Sequence, residues 1–265
     1  MSAKDPDKES QWRRIESNWL ITNRHVILPQ IPIGDKKIEV VPEEFVFNIR
    51  KIENHIIKWV PICLTKDELL ANALFHIDKE NDVAIINITK IIDDKQKELG
   101  LHDGNIEEIN KYLWSYSSTN DNLPKDNFLK PEVGTDILIA SYPKGFYDDF
   151  NQFPIVKSGI IASGWGLNFK GQRHFLVDVK LFSGSSGGLV ISKPTNHTIS
   201  NGKVYYNSDK PFLLLGVYSG EYLQKAQTAK LDGMIIQKQD DYGLGIVWYA
   251  DLIDEIIHNG VPYTT

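Results

Sequence analysis

From Trp19 to Ile92 the apolar positions come in short runs rich in β-branched residues: "WLITNRHVIL", "EEFVFNIRKI", "HIIKWVPICL" and "DVAIINITKI". Charged or Pro-containing stretches separate them. Runs of this length predict strands, because branched side chains fit a pleated surface better than a helix. "TKDELLANAL" fits either a short helix or a loop turn. Residues 93–132 turn charged and polar, with "NIEEINKYLW" as a candidate helix and "SSTNDNLPKDN" as a loop, which reads as a linker. Strand-like runs then return: "DILIASYP", "PIVKSGIIAS", "HFLVDVKLF", "GLVIS", "KVYY", "FLLLGVYSG" and "LGIVWYA". Short strands with turn signals between them predict an all-β chain, as a sandwich or a pair of barrels. The final stretch, "ADLIDEIIHNG", places Leu252, Ile253, Ile256 and Ile257 on one helical face, with Asp251 able to cap its start and Gly260 its end. The predicted organisation is a mobile arm at 1–16, a first β half at 17–92, the linker at 93–132, a second β half at 133–250, and a C-terminal helix and tail at 251–265.

Composition narrows the function classes. At 265 residues, 42% hydrophobic and 24% charged, the chain is long enough for one large domain or two small barrels. A net charge of -6 argues against general affinity for nucleic acid or anionic membrane. No apolar run approaches the roughly 18 residues of a membrane span. The polar start "MSAKDPDKESQWRRIE" lacks the apolar centre of a secretory signal. The single cysteine, Cys63, can form neither an internal disulfide nor a zinc cluster, so the chain is expected to be cytoplasmic and free of metal and cofactor. Cys63 itself is expected to be a buried structural thiol, as free cysteines usually are.

Three stretches carry candidate chemistry. In "SNWLITNRHVI" a polar run ending at His25 interrupts apolar residues. In "KENDVAIINI" Asp82 opens an apolar strand, and Asp78 a few residues earlier is its rival. In "LFSGSSGGLVI" Gly184, Gly187 and Gly188 bracket Ser185 and Ser186 directly before a strand. Glycines let backbone N–H groups converge on one point, where they can hold a developing oxyanion beside a serine hydroxyl. Each stretch alone has a common structural explanation. Their order is more informative. Serine chemistry needs a neutral imidazole to take the hydroxyl proton and a carboxylate to fix its tautomer, and the order His25, Asp82, Ser186 is that of chymotrypsin-type enzymes, not of subtilisin or α/β-hydrolases. The other histidines, His55, His76, His102, His174, His197 and His258, have no such setting and read as surface or hydrogen-bonded residues.

With these stretches the chain resembles a trypsin-like serine protease of the chymotrypsin fold, close to the bacterial intracellular trypsin-like peptidase domains. "LITNRHVI", "NDVAII" and "SGSSGG" match the histidine, aspartate and nucleophile segments. "VGTDILIASYPKG" with "PIVKSGIIAS" resembles the hairpin opening the second barrel, and "FLVDVKLFSGSSGG" the strand leading to the nucleophile. The resemblance implies two six-stranded antiparallel β-barrels, 17–92 and 133–250, with the active site between them and a helix at the C-terminus. It implies Ser186 as nucleophile, His25 as general base, Asp82 as its orienting partner, and the N–H groups of Gly184 and Ser186 as the oxyanion hole. Ser219, Gly220 and Glu221, in "GVYSGEY", match the edge that pairs with the substrate backbone by strand addition. Lys180 matches the base of the pocket for the residue preceding the cut, where it would favour an acidic side chain unless Asp178 on the same face neutralises it. Gly245 matches a pocket wall left open.

Two positions depart from the family. Secreted trypsins carry, just before the nucleophile, an aspartate that pairs with the N-terminus released on activation; here that position is Ser185. Activation by such a cleavage is therefore not expected, and control by a regulatory protein partner is. "DPDKESQWRRIES" matches poorly the Gly-containing strand that usually precedes the histidine segment, which would leave an incomplete barrel edge. The expected function is a serine endopeptidase acting on a protein or peptide substrate. The alternatives are a catalytically silent trypsin-fold binding module and a non-proteolytic esterase.

Overall fold

The computed structural model describes residues 17–34, 36–98, 131–151, 153–195, 212–223 and 241–264, with the short segments 3–4, 13–14, 112–113, 122–124, 197–200, 203–206, 227–231 and 234–238. Most of the arm at 1–16 and of the linker lies outside the described residues, as does the candidate helix "NIEEINKYLW" apart from Tyr112–Leu113, which is a strand and not a helix. Two compact units divide the chain: Met1–Leu123 with Tyr147–Phe153 and Asp251–Thr265, and Pro124–Phe146 with Pro154–Ala250.

Six strands close a barrel in the second unit. Around it run Asp136–Ser141, Ile155–Ile161, His174–Asp178, Asp241–Tyr249, Leu214–Leu223 and Gly188–Ser192, every neighbouring pair antiparallel and the last bonded to the first. Period-two alternation fills it: Ile137, Ile139, Phe175, Val177, Val190 and Val247 are buried in one core cluster. Trp165 packs on this cluster, its ring 4.9 Å from Phe175 and 5.1 Å from Tyr249. Each such side chain contributes about 1.5–3 kcal/mol of burial.

The first unit shows no closed barrel among its described residues. Its strands form separate sheets: Trp19–Thr22 with Ala84–Asn87 and Ala73–Phe75; Glu44–Glu53 with Ile56–Thr65 and the two-residue strand Tyr112–Leu113; and the exposed hairpin Gln30–Ile33 with Lys36–Glu39. The expectation of two closed barrels is met by one among the described residues, and the molecule is mostly β with a closed six-stranded barrel and a C-terminal helix. Helices interrupt the β pattern where capping chemistry appears. Lys66–Asn72 is a helix, and the apolar run from Asp82 stops being a strand at Asn87, with helix Thr89–Glu98 following. The C-terminal helix Asp251–Asn259 buries Leu252, Ile253 and Ile256. Asp251 lies in its first turn, where a carboxylate favours the helix dipole. Beyond it, Phe75 and Val261 exchange backbone hydrogen bonds at 2.9 Å. None of the helices is long and apolar enough to cross a membrane, among the described residues.

Cys63 is exposed, contrary to expectation. Along Ile56–Thr65 the neighbours Ile62 and Leu64 point inward, so strand alternation turns Cys63 outward.

Candidate active site

The first unit orders an imidazole against a carboxylate. Strand Trp19–Thr22 ends at Thr22, and the chain makes one helical turn, Arg24–Ile27, which presents His25 at its second position. His25 Nδ1 lies 2.7 Å from Asp82 Oδ2, and the His25 backbone N–H donates to Asp82 Oδ1 at 2.9 Å. An ionised carboxylate only accepts, so the shared proton belongs to Nδ1, and Nε2 keeps a lone pair. The His25 ring is 42% exposed, and Nε2 has no partner among the described residues.

Both residues are held from behind. Asn23, fully buried, donates from Nδ2 to the Asp82 carbonyl at 2.7 Å. Arg24 forms a two-pronged pair with Glu39 at 2.8 and 2.9 Å and lies over the Phe75 ring. The Arg24 hydrogen bond holds the Glu39 carboxyl below its usual range, against the opposing effect of burial. The buried His76 accepts at Nδ1 from the Asp78 N–H and from Asn81 Nδ2, and its Nε2 faces Glu255 at 3.2 Å. That network fixes the loop leading to Asp82. Asp78 accepts the Glu80 N–H and shapes a turn, so Asp82 is the carboxylate that meets His25.

The second unit builds a turn around Ser186. Gly184 and Gly187 take φ of 86° and 80°, left-handed values that favour glycine. Three of the turn's N–H groups are occupied: Ser185 donates to Phe182 O, Gly187 to Tyr218 O and Gly188 to Ser185 O. The N–H groups of Gly184 and Ser186 have no acceptor among the described residues. The direction of the Gly184 N–H is set one residue earlier. Ser183 O accepts the Lys144 N–H at 2.7 Å, and the C=O and N–H of a trans peptide point opposite ways. Two unclaimed donors flanking a serine hydroxyl can hold the oxyanion of an acyl-transfer intermediate.

Ser186 Oγ donates to the Ser219 carbonyl at 2.9 Å. Ser219 is the extra residue of a bulge between Tyr218 and Gly220, and the ladder to Gly188–Ser192 stops at Tyr218. Ser219, Gly220 and Glu221 thus run beyond that ladder, with only Asp241–Tyr249 beside them among the described strands. Ser185 is buried, and its hydroxyl accepts from Ser141 Oγ at 3.3 Å. A neutral hydroxyl paired internally needs no ammonium counter-ion there.

Lys180 and Asp178 are exposed on one face, alternating with buried Val177 and Val179, and the Lys180 carbonyl accepts from Lys157 Nζ. At Gly245 a Cβ would lie 2.5 Å from the Tyr218 ring and 3.1 Å from Val177. The Tyr218 ring and Val177 pack against that glycine. His174, expected on the surface or hydrogen-bonded, is buried, and neither ring nitrogen has a partner among the described residues. Among the described residues no three His, Cys, Asp or Glu side chains gather as a metal site. Asn23, Arg24 and the Lys144 N–H carry no signature in the sequence, because their partners are distant in the chain or are backbone atoms; His76, read as a surface or hydrogen-bonded residue, is hydrogen-bonded.

No protein-family model matches the chain, and no curated protein matches it. Among solved structures the chain is similar to the scabies mite inactivated protease paralogue S-I1, at 16% identity and a TM-score of 0.34, over 71% of this chain and 68% of that one.

Proposed function

We propose that the chain is a trypsin-like serine endopeptidase of the chymotrypsin fold, with His25, Asp82 and Ser186 as its catalytic residues. Ser186 Oγ attacks the scissile carbonyl while its proton passes to His25 Nε2, and Asp82 stabilises the imidazolium formed. The N–H groups of Gly184 and Ser186 hold the oxyanion. The intermediate collapses by returning the proton to the leaving amine, and water, deprotonated by His25, then hydrolyses the acyl-enzyme. The observation that carries this reading is the pair of unclaimed N–H groups on either side of Ser185, on the turn that bears the Ser186 hydroxyl. The 2.7 Å bond between His25 and Asp82 supports it. Ser219, Gly220 and Glu221 supply the edge for the substrate backbone, and Lys180 the base of the pocket for the residue preceding the cut.

The same proposal covers setting and control. One cysteine in 265 residues supports a reducing, cytoplasmic compartment, and the resemblance to bacterial intracellular peptidase domains agrees with it. The Ser141–Ser185 pair in place of a buried aspartate supports activity without N-terminal cleavage, under control of a protein partner.

One observation favours a second reading, a catalytically silent binding module: the Ser186 hydroxyl is directed at the Ser219 carbonyl. Labelling with a fluorophosphonate separates the two. The wild type is expected to label, and Ser186→Ala and His25→Ala to stay unlabelled; a folded wild type that does not label means the silent module.

A further inference from the structure

Close before the nucleophile turn, two ammonium groups share one exposed ring. Phe182 is 49% exposed. Lys144 Nζ lies 5.6 Å from its ring centroid, and Lys157 Nζ 5.7 Å from the same centroid. Neither lysine has a carboxylate partner among the described residues. Both are fastened by their surroundings. Lys144 sits in a left-handed turn (φ 52°), and its N–H is bonded to Ser183 O. Lys157 projects from strand Ile155–Ile161, and its Nζ donates to the Lys180 carbonyl. An aromatic face attracts cations but does not neutralise them. In a chain of net charge -6, this leaves a local positive field beside an apolar surface, one residue from the Ser183–Gly184 peptide whose N–H is unclaimed.

We propose that Lys144, Lys157 and Phe182 form a subsite for an acidic side chain of a peptide substrate. The methylenes of a glutamate lie on the Phe182 ring, and its carboxylate meets the two ammonium groups. This deepens the proposed function and rests on it only in calling the peptide a substrate. The subsite stands on side chains outside the pocket position of Lys180, although the Lys180 carbonyl helps to place Lys157.

The test measures binding, so it does not depend on turnover. The Ser186→Ala chain is titrated with fluorescein-labelled octapeptides carrying two central glutamates, two glutamines or two lysines, and anisotropy is read at low salt. The glutamate peptide is expected to bind about tenfold more tightly than the glutamine peptide, as two close unit charges allow. The difference is expected to shrink in molar salt, where the screening length falls to about 3 Å. Adding Lys144→Gln and Lys157→Gln abolishes the preference, and Lys144→Glu with Lys157→Glu turns it toward the lysine peptide. Equal binding of the glutamate and glutamine peptides to the unmutated subsite overturns the proposal, as does a preference that survives in a folded Lys144→Gln, Lys157→Gln chain. A wild type that labels with fluorophosphonate yet shows no acidic preference sinks the subsite alone. An unlabelled wild type with the preference intact sinks hydrolysis alone.

Discussion

At Gly184 the missing side chain is a requirement of the turn. A Cβ there would lie 2.8 Å from the Lys144 nitrogen and 3.3 Å from its Cα, and φ of 86° would strain any L side chain. Gly184→Ala must therefore push Lys144 away or flatten the turn, and either movement breaks the bond that aims the Gly184 N–H. Loss of one oxyanion donor costs roughly 100- to 1000-fold in rate in serine proteases. Fluorophosphonate labelling of Gly184→Ala is expected to slow by about that factor while its far-ultraviolet circular dichroism stays that of the wild type; labelling at the wild-type rate would remove Gly184 from the site. Residues of this kind divide by how visible they are in the chain. His25, Asp82 and Ser186 declare themselves by type and order. Lys144 acts through its N–H and Ser219 through its C=O, which every residue possesses. Cys63 is exposed where free cysteines are usually buried, because strand alternation around Ile62 and Leu64 decides its face.

Elements start and stop where short polar side chains supply backbone partners. Thr65 ends strand Ile56–Thr65 and caps helix Lys66–Asn72: its hydroxyl accepts the Glu68 N–H at 3.3 Å while Glu68 Oε2 accepts the Thr65 N–H at 2.9 Å. The Thr65 N–H, and after it the Thr65 hydroxyl, which donates to Glu68 Oε2 at 2.9 Å, hold the Glu68 carboxyl below its usual range. Thr65→Ala is expected to destabilise the protein by about 1 kcal/mol, read as a lower denaturant midpoint at unchanged slope, with Thr65→Ser restoring it. The signal was present in the sequence as T-x-x-E ahead of an apolar pair, and it decides between helix and loop for "TKDELLANAL". Near Thr89 the same logic applies. Asn87 Oδ1 accepts the Thr89 N–H at 3.0 Å, Thr89 Oγ1 accepts the Asn18 N–H, and Ile88, Ile91 and Ile92 then recur at helical spacing. A strand and a helix thus share one continuous apolar run, and the first polar residues that bond locally mark the join. The barrel strands were readable because each needs only alternation. How the first unit's sheets pair is set by contacts across many residues, which the local pattern does not carry.

At the scale of the whole molecule, one contribution to stability against acid comes from a group that the proposed chemistry does not use. His174 lies in a barrel strand opposite Trp248, with Phe169 nearby, its ring 5.2 Å from the indole and 5.8 Å from the Phe169 ring. Phe175 and Val177 take the inward face of that strand, so His174 belongs to the outer face, yet only 3% of it is exposed. Neither of its nitrogens has a hydrogen-bond partner among the described residues, nor has Trp248 Nε1. Lys170, on the segment before the strand, sits over the Phe169 and Tyr222 rings. Burial therefore pushes the His174 pKa down. The sign follows from linkage. Above the ordinary histidine value of about 6.5 both folded and unfolded chains carry the neutral ring. Below it the unfolded chain takes a proton that the folded chain refuses, so stability falls with pH until the folded ring also protonates. His174→Phe keeps the ring volume and removes both orphaned nitrogens. It is expected to raise stability by about 1 kcal/mol at pH 8, since an apolar group replaces unsatisfied polar atoms. Its advantage should then widen as the pH drops from 7 to 5. Thermal unfolding of both proteins across that range checks it: curves that stay parallel would mean that the folded protein accepts the proton at His174 as readily as the unfolded chain does.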